Sequence, residues 1–255
     1  MKGWRLPAKR ILALAFWLGA WALLAMAVDR ELLLPGPAAV ARRLVVLAGT
    51  SAFWRSTAVS LLRIVCGAVL GIAGGVLLAA GTARSSLLEA LFAPLLSVIR
   101  AIPVASFILL VLIWVGRDIL PCVIVFLMVL PVVWTNMSAG LQAADWRLLE
   151  LAHVYGFSRW KTAKLIYVPT AAPYFLSACR ACLGLAWKSG VAAEVLTVPA
   201  RSIGRELYEA KLYMQTADLF AWTAVVVLCS LLIENLLDAG FARLGRHWRI
   251  GGGET

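Results

Sequence analysis

Six apolar runs, each close to the length that a helix needs to cross a bilayer, constrain this chain more than any other feature. About 20 mostly apolar residues are needed to cross the hydrocarbon core. The runs lie at roughly 11–28, 57–80, 91–115, 119–139, 171–196 and 218–239. With 62% hydrophobic residues, the composition is far from that of a soluble globular domain. Membrane-crossing strands would alternate lipid-facing and polar residues with a period of two, and these runs do not. The expected fold is an all-α polytopic membrane protein of about six transmembrane helices. Residues 1–255 are read as a single domain.

The formal net charge is +11. The basic residues flank apolar runs rather than lining a polar face with interleaved aromatics. Topology and anionic lipid head groups therefore explain them better than nucleic acid does. Basic residues are denser around Lys2, Arg5, Lys9, Arg10, the segment 144–168 and Arg243, Arg246 and Arg249 than on the opposite side. This predicts both termini and that segment in the cytosol. The first run is too long for a signal peptide and lacks a small-residue cleavage site, so it reads as a retained span. All five cysteines fall inside apolar runs, which argues against a disulfide framework. Cys179 and Cys182 form a lone CxxC and read as small packing residues.

Several runs carry residues that a lipid-facing helix would avoid. Pro35-Gly36-Pro37 breaks the chain after the first run, and Ala38–Leu47 then has helical spacing, with Arg42 and Arg43 on its wet side. Gly67, Gly71 and Gly75 recur every four residues and predict a close-packed helix neighbour. The third run contains Pro94 and Arg100-Ala101-Ile102-Pro103. Two readings of Arg100 stand side by side: it snorkels to the interface, or it lines a path through the membrane. In the fifth run Arg180, Trp187 and Glu194 are spaced by seven, close to one face, beside a small-residue ridge of Ala178, Cys182, Ala186 and Gly190. Ionisable groups inside a span are functional candidates.

The segment 144–168 is too polar to span. Leu148, Leu149, Ala152 and Tyr155 have helical spacing, Gly156 ends that helix, and Ser158 can cap a second one running to Leu165 before Pro169. The fifth span is expected to start after Pro173. No GxxxxGK[ST] is present, and neither a Ser/His/Asp nor a metal-ligand constellation is apparent, so catalysis by this chain is not expected.

These residues carry a family resemblance. Glu150-Leu151-Ala152, Gly156 and Val168-Pro169 resemble the EAA-type loop of ABC-importer permeases. Further matches point to the nitrate/sulfonate/taurine branch. They are LLPGPAAV at 33–40, Ser60-Leu61-Leu62-Arg63 with Gly67, Pro94 through Arg100-Ala101-Ile102-Pro103 to Ile113-Trp114-Val115-Gly116, Ala186-Trp187, and Ala193-Glu194. The resemblance implies a type I importer permease in a bacterial inner membrane, paired with a second copy. It implies two cytosolic ATPase subunits that bind ATP and magnesium, so that this chain needs no cofactor, and an extracytoplasmic solute-binding protein. Glu150, Ala152 and Gly156 fall in the ATPase-coupling region. Arg100, Trp187 and Glu194 are the pathway or gate candidates. The rivals are an ion-coupled secondary transporter, which should show midplane acids and inverted repeats, and a non-transporting membrane scaffold.

Overall fold

The computed structural model describes the backbone of residues 5–248 and the side chains of residues 11–236, and every regular element among them is helical. In chain order these are α1 (Arg5–Val28), α2 (Pro37–Ala48), α3 (Ser51–Thr82), α4 (Ser86–Ala101), α5 (Val104–Val111), α6 (Leu120–Gln142), α7 (Trp146–Val154), α8 (Arg159–Thr162), α9 (Val168–Thr197), α10 (Ile203–Leu212) and α11 (Thr216–Trp248). The termini beyond residues 5 and 248 lie outside the described residues, and with them the expectation that both face the cytosol.

The centre of the molecule is a three-helix layer of α3, α6 and α9. The glycine ridge of α3 sets its spacing. A Cβ on Gly71 would lie 2.8 Å from Val129 Cβ, and one on Gly75 would lie 2.7 Å from Val133 Cβ. Only hydrogen fits there, so the backbones approach closely. Gly67, Gly71 and Gly75 meet Val125, Val129 and Val133 in the same order, so α3 and α6 run parallel. On α9, Gly190 packs against Val125, while Cys182 Sγ lies 3.9 Å from the Val129 carbonyl. That order is reversed, so α9 runs antiparallel to both. Ala178, Cys182, Ala186 and Gly190 are all buried, as the small-residue ridge predicts.

Parallel neighbours require the chain between them to return across the bundle. Thr82, at the end of α3, accepts a hydrogen bond from Trp134 Nε1 deep in α6 (3.1 Å), whereas α6 starts at the opposite end of the bundle. The α4–α5 pair therefore carries the chain from one end to the other. It does so as a broken span bent by 110°, not as the single helix expected over 91–115. Pro103 has no N–H to donate and drives the preceding Ile102 to an extended backbone (φ −75°, ψ 129°), which ends α4.

A second departure concerns the segment before α9. The expected stop near Leu165 and restart after Pro173 do not occur. α8 runs through a π-helical turn at Ala163–Tyr167 straight into α9. The wider π turn shifts the hydrogen-bond register just where Pro169 lacks a donor, and Thr170 Oγ1 donates to the Ile166 carbonyl (2.8 Å). The helical path from the loop into the fifth span is thus unbroken.

By length and composition, four described helices can cross a membrane, or five if the bent pair is one span. α9 is missing from that set. At 30 residues it is about 45 Å long, but Arg180, Lys188 and Glu194 lower its apolarity. Its Glu194 is instead shielded by protein. α1 is the reverse case, with none of its apolar window buried in the chain. α2 forms where a short helix was expected, but Arg43 is not simply wet. It forms a bidentate pair with Asp218 of α11, through Nε to Oδ1 and through Nη2 to Oδ2 (2.8 Å).

Candidate functional site

The loop between α6 and α9 is built by capping. Asp145 accepts the Arg147 N–H (2.9 Å) to start α7, and Ser158 accepts the Lys161 N–H (3.3 Å) to start α8. Between them the chain turns through Gly156 at φ +64°. The Phe157 N–H bonds to the Ala152 carbonyl (2.8 Å) and the Gly156 N–H to the His153 carbonyl (3.0 Å). This is a Schellman closure, whose left-handed residue favours glycine. Ala152 is buried, while Glu150 and Gly156 are exposed. Leu151, Val154, Tyr155 and Trp160 also stand exposed, Trp160 at 78%. An apolar surface outside the spans is the mark of a docking face.

At the other end of the bundle, Glu194 is fully buried. Its Oε2 accepts from Ser60 Oγ (2.6 Å) and from the Gly204 N–H (3.2 Å). Ser60 Oγ in turn accepts the Ile203 N–H (2.8 Å). Arg63 Nη1 lies 3.7 Å from Glu194 Oε1, and neither atom has a hydrogen-bond partner among the described residues. The other nitrogen, Arg63 Nη2, donates to Asp118 Oδ1 and to the Ala200 carbonyl (both 3.1 Å). Asp118 also accepts the Ala200 N–H (3.1 Å). This charge centre ties α3, α9, the α9–α10 turn and the link before α6 into one unit. The turn itself carries Val198 and Arg201 at positive φ.

The candidates from the fifth run divide. Trp187 is buried, and its Nε1 donates to the Val226 carbonyl of α11 (3.0 Å). Trp187 and Glu194 both turn into protein, whereas Arg180 is exposed. Two heptads rotate a straight helix by about 40°, enough to carry Arg180 off the buried stripe. Arg100 stands apart from them on the exposed last turn of α4, where Nη1 donates to Thr135 Oγ1 of α6 (3.2 Å). The sequence motifs include Arg63 without assigning it a role, and Asp118 lies in none of them. A signal existed, since Arg63 is the sole charged residue in the predicted span 57–80 and a buried acid needs a cation.

Residues 71–250 match the family described as the binding-protein-dependent transport system inner membrane component. The chain belongs to this family. It is similar to the taurine transport system permease protein TauC of Escherichia coli, with 25% identity covering 94% of this chain and 92% of that protein. It is also similar to a putative aliphatic sulfonates transport permease protein, SsuC, of Bacillus subtilis (25% identity, 93% of this chain, 84% of the other). In fold it resembles the structure of a bacterial ABC transporter involved in the import of the acidic polysaccharide alginate. The TM-score is 0.63, with 17% identity, covering 93% of this chain and 95% of that one. This is an ABC-importer permease of the nitrate/sulfonate/taurine branch, a multi-pass inner-membrane subunit for a small solute.

Two of the permease's family-like motifs, far apart in sequence, meet in the charge centre, and a third ends just before it. Ser60 and Arg63 come from the second span, Gly116 lies two residues before Asp118, and Glu194 closes the set from the fifth.

Proposed function

We propose that this permease is driven by a separate cytosolic ATPase through the loop 144–168. The observation that carries this reading is the two-helix loop closed by Gly156, with exposed apolar side chains and an unbroken helical path into α9. A partner that moves α8 would move α9 directly, because a continuous helix transmits displacement along its axis. Glu150, Ala152 and Gly156 set the shape of that docking face. ATP and magnesium belong to the ATPase partner.

In this reading two copies of the permease pair, each binding one ATPase subunit, and a solute-binding protein delivers cargo at the face that holds the Glu194 centre. Both termini share the cytosolic side with the loop. Arg100, exposed beside the break between α4 and α5, lines the path between the two copies. Trp187 and Glu194 act on the gate from behind, by fixing α9 to α11 and α3. Opening then follows as rigid-body movement of packed helices between two arrangements.

The test is co-expression with a candidate ATPase subunit. The expected result is a complex with two copies of each subunit, no ATP hydrolysis by the permease alone, and loss of the complex on Gly156→Trp with membrane insertion kept. A transporting monomer, or full assembly of the Gly156 variant, would overturn the reading.

A further inference from the structure

The first helix of the loop scarcely touches the spans. Ala152 is the only buried residue of α7, and α7 makes no extensive contact with any other helix. Between α7–α8 and the span ends lies a cavity of about 1050 Å³. Its two walls differ in chemistry. One is apolar, with Val76 of α3, Met137 and Leu141 of α6, and Phe175 of α9. The other carries Arg84 at the α3–α4 link, Glu89 of α4, His153 of α7 and Arg159 of α8, beside the apolar Leu149 and Phe157 of the loop. Both guanidiniums are exposed, and neither has a carboxylate partner among the described residues.

The cavity crosses the boundary between hydrocarbon and head groups, because one wall belongs to spans and the other to the α3–α4 link and the polar loop. Water would leave the apolar wall without favourable contacts. A soluble anion would satisfy Arg84 and Arg159 and leave the same wall bare. An occupant that meets both walls is amphipathic, with negative charge at the loop end, since the two guanidiniums outnumber the single carboxylate of Glu89. Basic pockets between spans on the cytoplasmic side suit such head groups.

We propose that this cavity is an anionic phospholipid site, with the lipid phosphate held by Arg84 and Arg159 and an acyl chain lying along Phe175 and Val76. The lipid fills the gap between the loop and the spans, so displacement of α7 reaches α3 and α6 through a packed medium. The site rests on the reading that the loop 144–168 lies at the cytosolic head-group level.

Native mass spectrometry of the purified full-length permease tests it, with phosphatidylglycerol as the probe. Wild type is expected to keep one phosphatidylglycerol through detergent exchange. R84Q/R159Q should hold it roughly 30-fold more weakly, about five- to sixfold for each guanidinium near an anionic surface. R30Q/R42Q, which alters exposed arginines at the opposite end of the bundle, should bind as wild type does. A172W fills the cavity without touching its charges and should also expel the lipid. In nanodiscs, adding phosphatidylglycerol to phosphatidylcholine should raise the Tm of wild type and not of R84Q/R159Q. Equal retention by R84Q/R159Q and wild type, unchanged retention by A172W, or displacement by free glycerol phosphate would each overturn the site. The sidedness is read separately: W160C labelled by an impermeant thiol reagent from the outer face would refute the loop's placement, whatever the lipid data show.

Discussion

At the residue scale, Glu194 and Gly156 owe their roles to different physics. Glu194 is a buried carboxylate with one oxygen fully used and the other 3.7 Å from Arg63. Removing it leaves Ser60 and the Gly204 N–H without their acceptor and Arg63 Nη1 without its nearby charge. Glu194→Ala should therefore cost about 3–5 kcal/mol, the range for breaking a buried ion pair. Glu194→Gln, which still accepts from Ser60, should cost clearly less. Thermal unfolding of both variants in nanodiscs checks the order; equal losses would show that the hydrogen bonds to Ser60 and Gly204 contribute little. At Gly156 a Cβ would meet nothing within 4 Å, so the constraint is the backbone at φ +64° rather than space. Gly156→Ala should destabilise the loop by about 1–2 kcal/mol, the cost of the left-handed region for an L residue. Faster proteolysis within 144–168, with the Tm of the bundle unchanged, is the expected readout. Glu206, on α10, hydrogen-bonds Ser56 (3.1 Å), yet burial, opposed by that bond and aided by nearby Glu209, raises its pKa above the ordinary 4.5. The folded state thus takes up this proton more readily than the unfolded one. That contribution to stability is complete below the ordinary pKa and is lost as pH rises through the raised value. Glu206→Gln should be more stable than wild type at neutral pH, with the advantage vanishing near pH 4.5 and below in a Tm series.

At the element scale, α3 offers an internal control. Gly75 faces the backbone and Cβ of α6, with a Cβ there lying 2.7 Å from Val133 Cβ and 2.8 Å from the Leu130 carbonyl. Gly74, one residue away, faces the ends of the Leu130 and Phe126 side chains at 3.3 Å. Side-chain ends can shift and a packed backbone cannot. Gly75→Ala should cost about 1–3 kcal/mol by overpacking, and Gly74→Ala should be close to neutral. A matching loss in both would mean that contact with the α6 backbone does not set the ridge, since helix propensity alone favours Ala over Gly at either position. The broken α4–α5 pair and the π turn before α9 show the two fates of proline. Pro103 ends a helix because its neighbour must be extended, while Pro169 is absorbed where a register shift already removes the need for its N–H.

At the scale of the whole molecule, the parallel pairing of α3 with α6 and the reversed run of α9 fix two ends of the bundle. One holds the Glu194 centre, α2 and α10; the other holds the loop 144–168 and the cavity behind it. Cysteines introduced at Trp160 and at Arg201 should therefore label from opposite sides of the membrane with an impermeant reagent. Labelling of both from one side would contradict the bundle's polarity. α1 has no part of its apolar window buried within the chain. It is thus free to face lipid or a second copy of the permease.

The helical class, the positions of five of the six runs and the glycine ridge were legible in the sequence. Each follows from local chemistry: a backbone in lipid must satisfy itself within a helix, and small residues every four positions permit close approach. The loop was legible for the same reason, since Asp145, Gly156 and Ser158 act on their own neighbours. The break in the third run carried a visible cue in Pro103, but its 110° bend is measured only in the folded chain. The continuity of α8 with α9 had no cue at all, because a π turn depends on how the helix is held. The charge centre was the least legible part. Ser60 and Glu194 are separated by 134 positions, and Arg63 meets both Asp118 and Glu194 only once α3, α9 and the α9–α10 turn have packed. Spacing along a helix is a local property that sequence states directly; which buried cation meets which buried acid is decided by the packing of the whole bundle.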